Sequence, residues 1–103
     1  MVFIETSSFT KYVGDYLTDD EYLGLQLFLI AQPDAGSVVP GTGGVRKLRW
    51  AIAGKGKRGG LRVIYYWRVS ANEIWMLTMY GKSERENISA HILRKIAEEI
   101  NRD

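Results

Sequence analysis

Residues 45–53, 61–69 and 73–80 form three runs rich in Val, Ile, Leu, Trp and Tyr, each bounded by turn residues. Runs of that composition and length between turns are the mark of strands. Gly54-Lys55-Gly56-Lys57-Arg58-Gly59-Gly60 separates the first two runs, and a turn around Ser70-Ala71-Asn72 separates the last two. A crossover between parallel neighbours needs a dozen residues or more, so such short connections imply antiparallel neighbours. The chain is therefore expected to be built on a three-stranded antiparallel meander.

The flanks add a short strand and helices. Residues 2–5 read as a first strand and residues from about 8 to 16 as a helix. Thr18-Asp19-Asp20-Glu21 is a capping-box pattern, a hydroxyl at the cap and a glutamate three residues on, and the acids suit the positive end of a helix dipole. Pro33 ends that helix. Residues 33–44 are expected to be a loop, dense in breakers at Pro40-Gly41-Thr42-Gly43-Gly44. The loop lacks the Gly-Lys-Ser/Thr ending of a phosphate-binding loop, so Gly43-Gly44 reads as a tight turn into the next strand. A last helix is expected from about Ser89, its cap. Ile88, Ile92, Ile96 and Ile100 read as its buried stripe. The expected class is α+β in one domain spanning 1–103: an N-terminal strand and two helices, then the three-stranded meander, then a closing helix.

Composition narrows the chemistry. A hydrophobic fraction of 46% over 103 residues suits a globular domain and not a disordered chain. The absence of cysteine excludes disulfides and iron–sulfur clusters. With His91 as the sole histidine, no zinc site is expected, and neither a metal nor another cofactor is implied. The start MVFIETSSF has no basic cluster and no long apolar run, so no signal peptide is expected. Leu27-Phe28-Leu29-Ile30-Ala31 is too short to span a bilayer. A cytoplasmic protein without a membrane partner is the expectation.

The net charge of +2 hides a strong segregation. Residues 1–34 set Lys11 against Glu5, Asp15, Asp19, Asp20, Glu21 and Asp34. Residues 35–72 hold Arg46, Lys47, Arg49, Lys55, Lys57, Arg58, Arg62 and Arg68 with no acid at all. The acid-free stretch from Arg46 to Arg68 creates a local positive field. Alternation then sorts its side chains. Lys47, Arg49 and Ala51 lie opposite Leu48, Trp50 and Ile52. Arg62, Ile64, Tyr66 and Arg68 lie opposite Leu61, Val63, Tyr65, Trp67 and Val69. Ile74, Met76, Thr78 and Tyr80 lie opposite Glu73, Trp75, Leu77 and Met79. A simple arrangement gathers Lys47, Arg49, Arg62 and Tyr80 around one concave face, with Lys55, Lys57 and Arg58 on the loop above. A one-residue slip in register would reverse the facing. Clustered cations without carboxylates face either water or a polyanion. Phosphates would satisfy them, and nearby rings can stack on unpaired bases. A solvated basic sheet face explains the same charges, and from charge alone both readings stand. Trp50, Trp67, Trp75 and Tyr65 read as packing residues, and His91 as a surface or capping residue.

Three stretches together carry a resemblance: Gly43-Gly44-Val45-Arg46-Lys47-Leu48-Arg49, then 54–66 with its Gly59-Gly60-Leu61-Arg62-Val63-Ile64-Tyr65-Tyr66 end, then Leu77-Thr78-Met79-Tyr80-Gly81-Lys82-Ser83-Glu84. They resemble the RelE/ParE superfamily of bacterial toxins, most of all HigB toxins of the RelE type, and the element order agrees over nearly the whole chain. The resemblance implies a toxin of a type II toxin–antitoxin pair, with a cognate antitoxin as partner. It also implies a ribosome-dependent endoribonuclease that cuts messenger RNA in the A site of the 70S ribosome by attack of a ribose 2′-hydroxyl on the adjacent phosphate. Such sites work with lysines, arginines and tyrosine instead of a histidine pair.

Carried over residue by residue, the resemblance puts Lys47 and Arg49 on the basic strand before the loop and Arg62 at the arginine that holds the scissile phosphate. Lys82 falls at the Gly-Lys step, and Tyr80 is placed to stack on a base or join proton transfer. Lys55, Lys57, Arg58, Tyr66 and Arg85 are implied RNA or ribosome contacts. Two positions depart from the pattern. Ser83 stands where RelE has an arginine, with Arg85 two residues away as its substitute, and Ser89 stands where RelE has a tyrosine. ParE relatives poison DNA gyrase on the same fold, and a non-catalytic RNA-binding module would show the same charges. Both remain alternatives.

Overall fold

The computed structural model describes residues 1–51, 60–81 and 88–102. The chain runs β1 (Val2–Glu5), α1 (Ser7–Tyr16), α2 (Asp19–Ala31), β2 (Ser37–Val38), β3 (Val45–Trp50), β4 (Leu61–Arg68), β5 (Glu73–Gly81) and α3 (Ala90–Ile100), with one 3-10 turn, Val69–Ala71, between β4 and β5. The α+β class and element order follow the expectation. The sheet is larger than expected: five strands in the order β1-β5-β4-β3-β2 instead of three. The meander β3-β4-β5 is antiparallel, as its short connections require. β1 adds in parallel along the outer edge of β5, with Val2 opposite Glu73. β2 lies within the stretch expected to be loop, and pairs Ser37 with Lys47 and Val38 with Arg46. Two residues carry no readable period, so this edge strand was invisible to pattern alone.

The caps match their chemistry. Thr18 accepts from the Glu21 backbone N–H at 3.2 Å, and the Glu21 carboxylate accepts from the Thr18 N–H at 2.8 Å, completing the capping box. Ser89 caps α3 by accepting from the Ile92 N–H at 3.2 Å. Gly41, Gly43 and Gly44 have φ of 78°, 78° and 114°, the left-handed region that a turn into β3 demands and that side chains resist. Thr42 between them is fully buried. Its hydroxyl donates to the Val39 carbonyl at 2.7 Å and accepts from the Val45 N–H at 3.0 Å, which locks the turn.

The sheet is covered on both faces. On one, Phe9, Leu17, Leu25 and Leu29 from the two N-terminal helices pack on Leu48, Val63, Tyr65, Ile74 and Met76. On the other, α3 packs Leu93, Ala97 and Ile100 against Val45, Ile64 and Leu77. Each fully buried Val, Leu, Ile, Phe or Met among them contributes roughly 1.5–3 kcal/mol. All three tryptophans pack, Trp50 and Trp67 against the first cluster and Trp75 against the second. The isoleucine stripe of α3 needs correction: Ile92 is 51% exposed, and Leu93, Ala97 and Ile100 form the buried seam. Four residues advance a helix by more than a full turn, so a strict four-residue repeat rotates off any one face. Spacing of four then three stays on it.

One irregularity in β5 redirects its side chains. Ile64 pairs with Thr78, but the next residue, Tyr65, pairs with Met76, so Leu77 has no opposite number. This bulge breaks the strict alternation assumed from the sequence. Ile74, Met76 and Met79 pack into the helix-hairpin cluster, whereas Leu77 and Tyr80 join Trp75 in the α3 cluster. Sequence alternation put Tyr80 with Ile74 and Met79 with Trp75. The bulge inverts both. Its carbonyl is held from the N-cap of α1: the Thr6 hydroxyl donates to the Leu77 carbonyl at 2.7 Å, and the Thr6 N–H donates to the Met76 carbonyl at 3.1 Å. Ser8 donates to the Thr78 hydroxyl at 3.2 Å.

Candidate nucleic-acid interface

The registers of β3, β4 and β5 fix the relation of four of the sequence-derived site residues. Arg49 lies directly opposite Arg62, and Arg62 directly opposite Tyr80, which makes one row across three adjacent strands. Strands lie about 4.8 Å apart, so the row spans about 10 Å. In the next row on the same face stand Lys47, Ile64 and Thr78, and Lys47 is about 7 Å along β3 from Arg49. The structure therefore brings Lys47, Arg49, Arg62 and Tyr80 together on the α3 side of the sheet. Tyr80 reaches that side because of the Leu77 bulge. A regular β5 would turn it toward the helix hairpin.

Lys47 and Arg49 are exposed, and Arg62 and Tyr80 are half-buried. Among the described residues none of the three cations has a carboxylate partner. Arginines in directly opposed positions repel. What this face can do is hold a polyanion: two guanidiniums and an ammonium present planar, fork-like and point-charge donors to phosphate oxygens. The phenol of Tyr80 supplies a ring to stack and a hydroxyl that both donates and accepts.

Other members of the acid-free stretch serve the scaffold. Arg46 donates to the Asp34 carbonyl at 3.1 Å and the Gly36 carbonyl at 2.7 Å, pinning the turn before β2. Tyr65, fully buried, braces the same turn. Its hydroxyl donates to the Pro33 carbonyl at 2.7 Å and accepts from the Gly36 N–H at 2.9 Å. Burial pushes the Tyr65 phenol above its ordinary range, which keeps it a donor. Arg68 lies 3.5 Å from Glu73 across the β4–β5 turn. Tyr66 stands apart from the cation row, about 13 Å along β4 from Arg62. Its hydroxyl accepts from the Asn101 side-chain amide at 2.7 Å, tying it to the end of α3. Ser89 is committed as the α3 cap, and His91 is an exposed residue of that helix. Lys55, Lys57, Arg58, Lys82 and Arg85 lie outside the described residues.

Sequence reasoning missed Val39, Ile64, Ile88 and Leu93, which with Lys47 and Tyr80 line a cavity of about 110 Å³ beside the cation row. Their apolar character fitted core packing, and nothing in their spacing marked them as the wall of an opening.

The domain is a small α+β fold with a five-stranded mixed sheet, two helices on one face and one on the other, and its cationic row across β3 and β4, without a carboxylate partner among the described residues, has the chemistry to hold a polyanion. A family model described as the RelE toxin of the RelE/RelB toxin–antitoxin system matches residues 30–102, which takes in β2 to β5 and α3. The chain belongs to the RelE toxin family. It is thus a toxin of a toxin–antitoxin system, and an antitoxin is its implied partner.

Proposed function

We propose that this toxin is a ribosome-dependent endoribonuclease of the HigB kind, which cuts messenger RNA in the ribosomal A site. The observation that carries the reading is the Arg49–Arg62–Tyr80 row with Lys47 beside it, all on one sheet face and without a carboxylate partner among the described residues. In this reading the ribose 2′-oxygen attacks the adjacent phosphorus and the bond to the 5′-oxygen breaks. The products are a 2′,3′-cyclic phosphate and a 5′-hydroxyl. Arg62 holds the scissile phosphate, and Arg49 and Lys47 neutralise the charge that grows on its oxygens. Stabilisation of this kind is worth about 10²–10³ in rate per donor. Lys82, with Tyr80, serves the proton transfers that attack and departure require, an acid–base contribution of about 10²–10⁴. Lys55, Lys57, Arg58 and Arg85 are assigned to contacts with ribosomal RNA. No metal or other cofactor enters this scheme.

The test uses programmed 70S ribosomes with a defined codon in the A site. Wild-type protein is expected to cut the message there, and Arg62→Ala and Lys82→Ala to reduce single-turnover cleavage at least a hundredfold with an unchanged thermal melt. Intact message together with inhibited gyrase supercoiling would move the protein to the ParE mode. Binding of RNA with every strand left whole would make it a non-catalytic RNA-binding module.

A further inference from the structure

We infer that Thr6, the N-cap of α1, is a positioning residue for Tyr80: by holding the β5 bulge it sets the face on which the phenol stands. The inference rests on the RNA-cleavage reading above, in which Tyr80 serves the proton transfers. Thr6 stands where the chain leaves the sheet. β1 pairs with β5 as far as Glu5 opposite Met76, and the Thr6 N–H continues that ladder to the Met76 carbonyl at 3.1 Å. The Thr6 hydroxyl makes two bonds at once. It donates to the Leu77 carbonyl at 2.7 Å and accepts from the Phe9 N–H at 3.2 Å, so one oxygen joins the bulge to the first turn of α1. Thr18 and Ser89 cap α2 and α3 by accepting from their own helices. Thr6 adds a donor bond to a residue 71 positions away.

That donor bond falls on the residue that decides the facing of Tyr80. Leu77 is the extra residue of the bulge, between Met76 opposite Tyr65 and Thr78 opposite Ile64. A bulge takes the extra residue out of the ladder, and a buried carbonyl left without a donor is costly. The Thr6 hydroxyl supplies the donor and so favours the bulged strand over a regular one. In a regular β5, alternation from Ile74 would turn Tyr80 to the helix-hairpin side and put Met79 on the α3 side in its place. Ser8 adds a second tether from the same helix, donating to the hydroxyl of the buried Thr78 at 3.2 Å. Capping α1 needs only an acceptor at Thr6. The donor bond does nothing for the helix, and its effect is on β5, about 10 Å along the strand from Tyr80.

The experiment compares three substitutions at Thr6 in the full chain. Thr6→Ser keeps both bonds of the hydroxyl. Thr6→Asp keeps a strong cap but has no proton to give to Leu77 at neutral pH. Thr6→Val removes both bonds at nearly the same shape. Each is read by thermal melt, by kcat and KM for message cleavage on programmed ribosomes, and by the ring signals of Tyr80 in isotope-labelled protein, assigned through Tyr80→Phe. Thr6→Ser is expected to match wild type. Thr6→Asp and Thr6→Val are expected to lower kcat about 10- to 100-fold at unchanged KM, the size that a small misplacement of a reacting group produces, and to move the Tyr80 signals. Ser8→Ala, at an exposed position, is expected to do the same by a smaller factor, and it decides the matter if the Thr6 variants do not melt cooperatively. A folded Thr6→Asp with wild-type kcat and wild-type Tyr80 signals overturns the inference, and so does a change confined to KM or to the melting temperature. The Tyr80 signals are read without ribosomes. If wild-type protein fails to cut intact message, the nuclease reading falls by itself; signals that still move in Thr6→Asp then uphold the hold of Thr6 on Tyr80, and signals that stay overturn that too.

Discussion

Arg49 and Arg62 sit directly opposite each other on adjacent strands, and no carboxylate neutralises either among the described residues. Changing Arg49 to glutamate tests what that arrangement is for. A directly opposed like-charge pair destabilises a sheet, and an opposed pair of unlike charge stabilises it by about 0.2–1 kcal/mol. Arg49→Glu removes the first and installs the second. Arg49 is exposed and Arg62 half-buried, so solvent screening trims the sum to about 0.5–1 kcal/mol. For a domain of this size that corresponds to a rise in melting temperature of roughly 3–6 °C. The gain is expected at low ionic strength and to shrink in 0.5 M salt, where exposed charges are screened. Arg49→Gln removes the repulsion alone and is expected to deliver about half the rise. Cleavage on programmed ribosomes is expected to move the other way, falling more than a hundredfold in Arg49→Glu. Melting temperatures at two salt concentrations and single-turnover cleavage of the same preparations make the assay. A melting temperature that falls at low salt refutes the cross-strand repulsion, and cleavage that survives the charge reversal refutes the role of this face.

Two further changes probe the brace under β2. Tyr65→Phe deletes both hydrogen bonds of the phenol, to Pro33 and Gly36, and is expected to cost about 1–3 kcal/mol in urea unfolding. Because the folded-state pKa of Tyr65 is raised above its ordinary 10.0, its contribution is fully present below pH 10 and is lost as pH climbs beyond it. The gap between wild type and Tyr65→Phe should therefore be flat from neutrality to pH 9 and narrow above pH 10; a gap that narrows on the acid side would show the sign to be wrong. Gly36→Ala would set its methyl 2.9 Å from a Tyr65 ring carbon and 3.1 Å from the Lys47 carbonyl. With the ring fully buried, that overpacking is expected to cost about 1–3 kcal/mol, read as a lower urea midpoint at unchanged slope.

The sequence carried the local elements clearly. Caps at Thr18 and Ser89, the glycine turn before β3 and the antiparallel meander all follow from signals within a few residues of each other. What it did not carry are events that depend on distant partners. The parallel pairing of β1 with β5 joins residues about seventy positions apart and leaves no mark on either strand. β2 exists because Tyr65 and Arg46 hold the preceding turn against β3, not because Ser37 and Val38 favour a strand. The bulge at Leu77 is of the same kind, since its carbonyl is satisfied by Thr6 from another element. Strict alternation would send Tyr80 to the helix-hairpin face, yet the sequence arrangement grouped it with Arg62. That grouping holds, and its cause is the bulge and not the alternation.

The acid-free stretch divides by what each cation finds around it. At its ends, Arg46 meets two backbone carbonyls and Arg68 meets Glu73, and both stabilise the fold they sit in. In its middle, Lys47, Arg49 and Arg62 share one face with no carboxylate among the described residues, an arrangement that costs stability in the isolated protein. Burial cannot account for it, since two of the three are exposed, and neither can the sheet, which pairs as well with neutral side chains there. Thr6 and Ser8 also hold the bulge that turns Tyr80 to the same side. In the proposed reading the hydrogen bonds that place a phenol among mutually repelling cations serve RNA cleavage: the cations hold the phosphate, and the phenol stands beside it for the proton transfers.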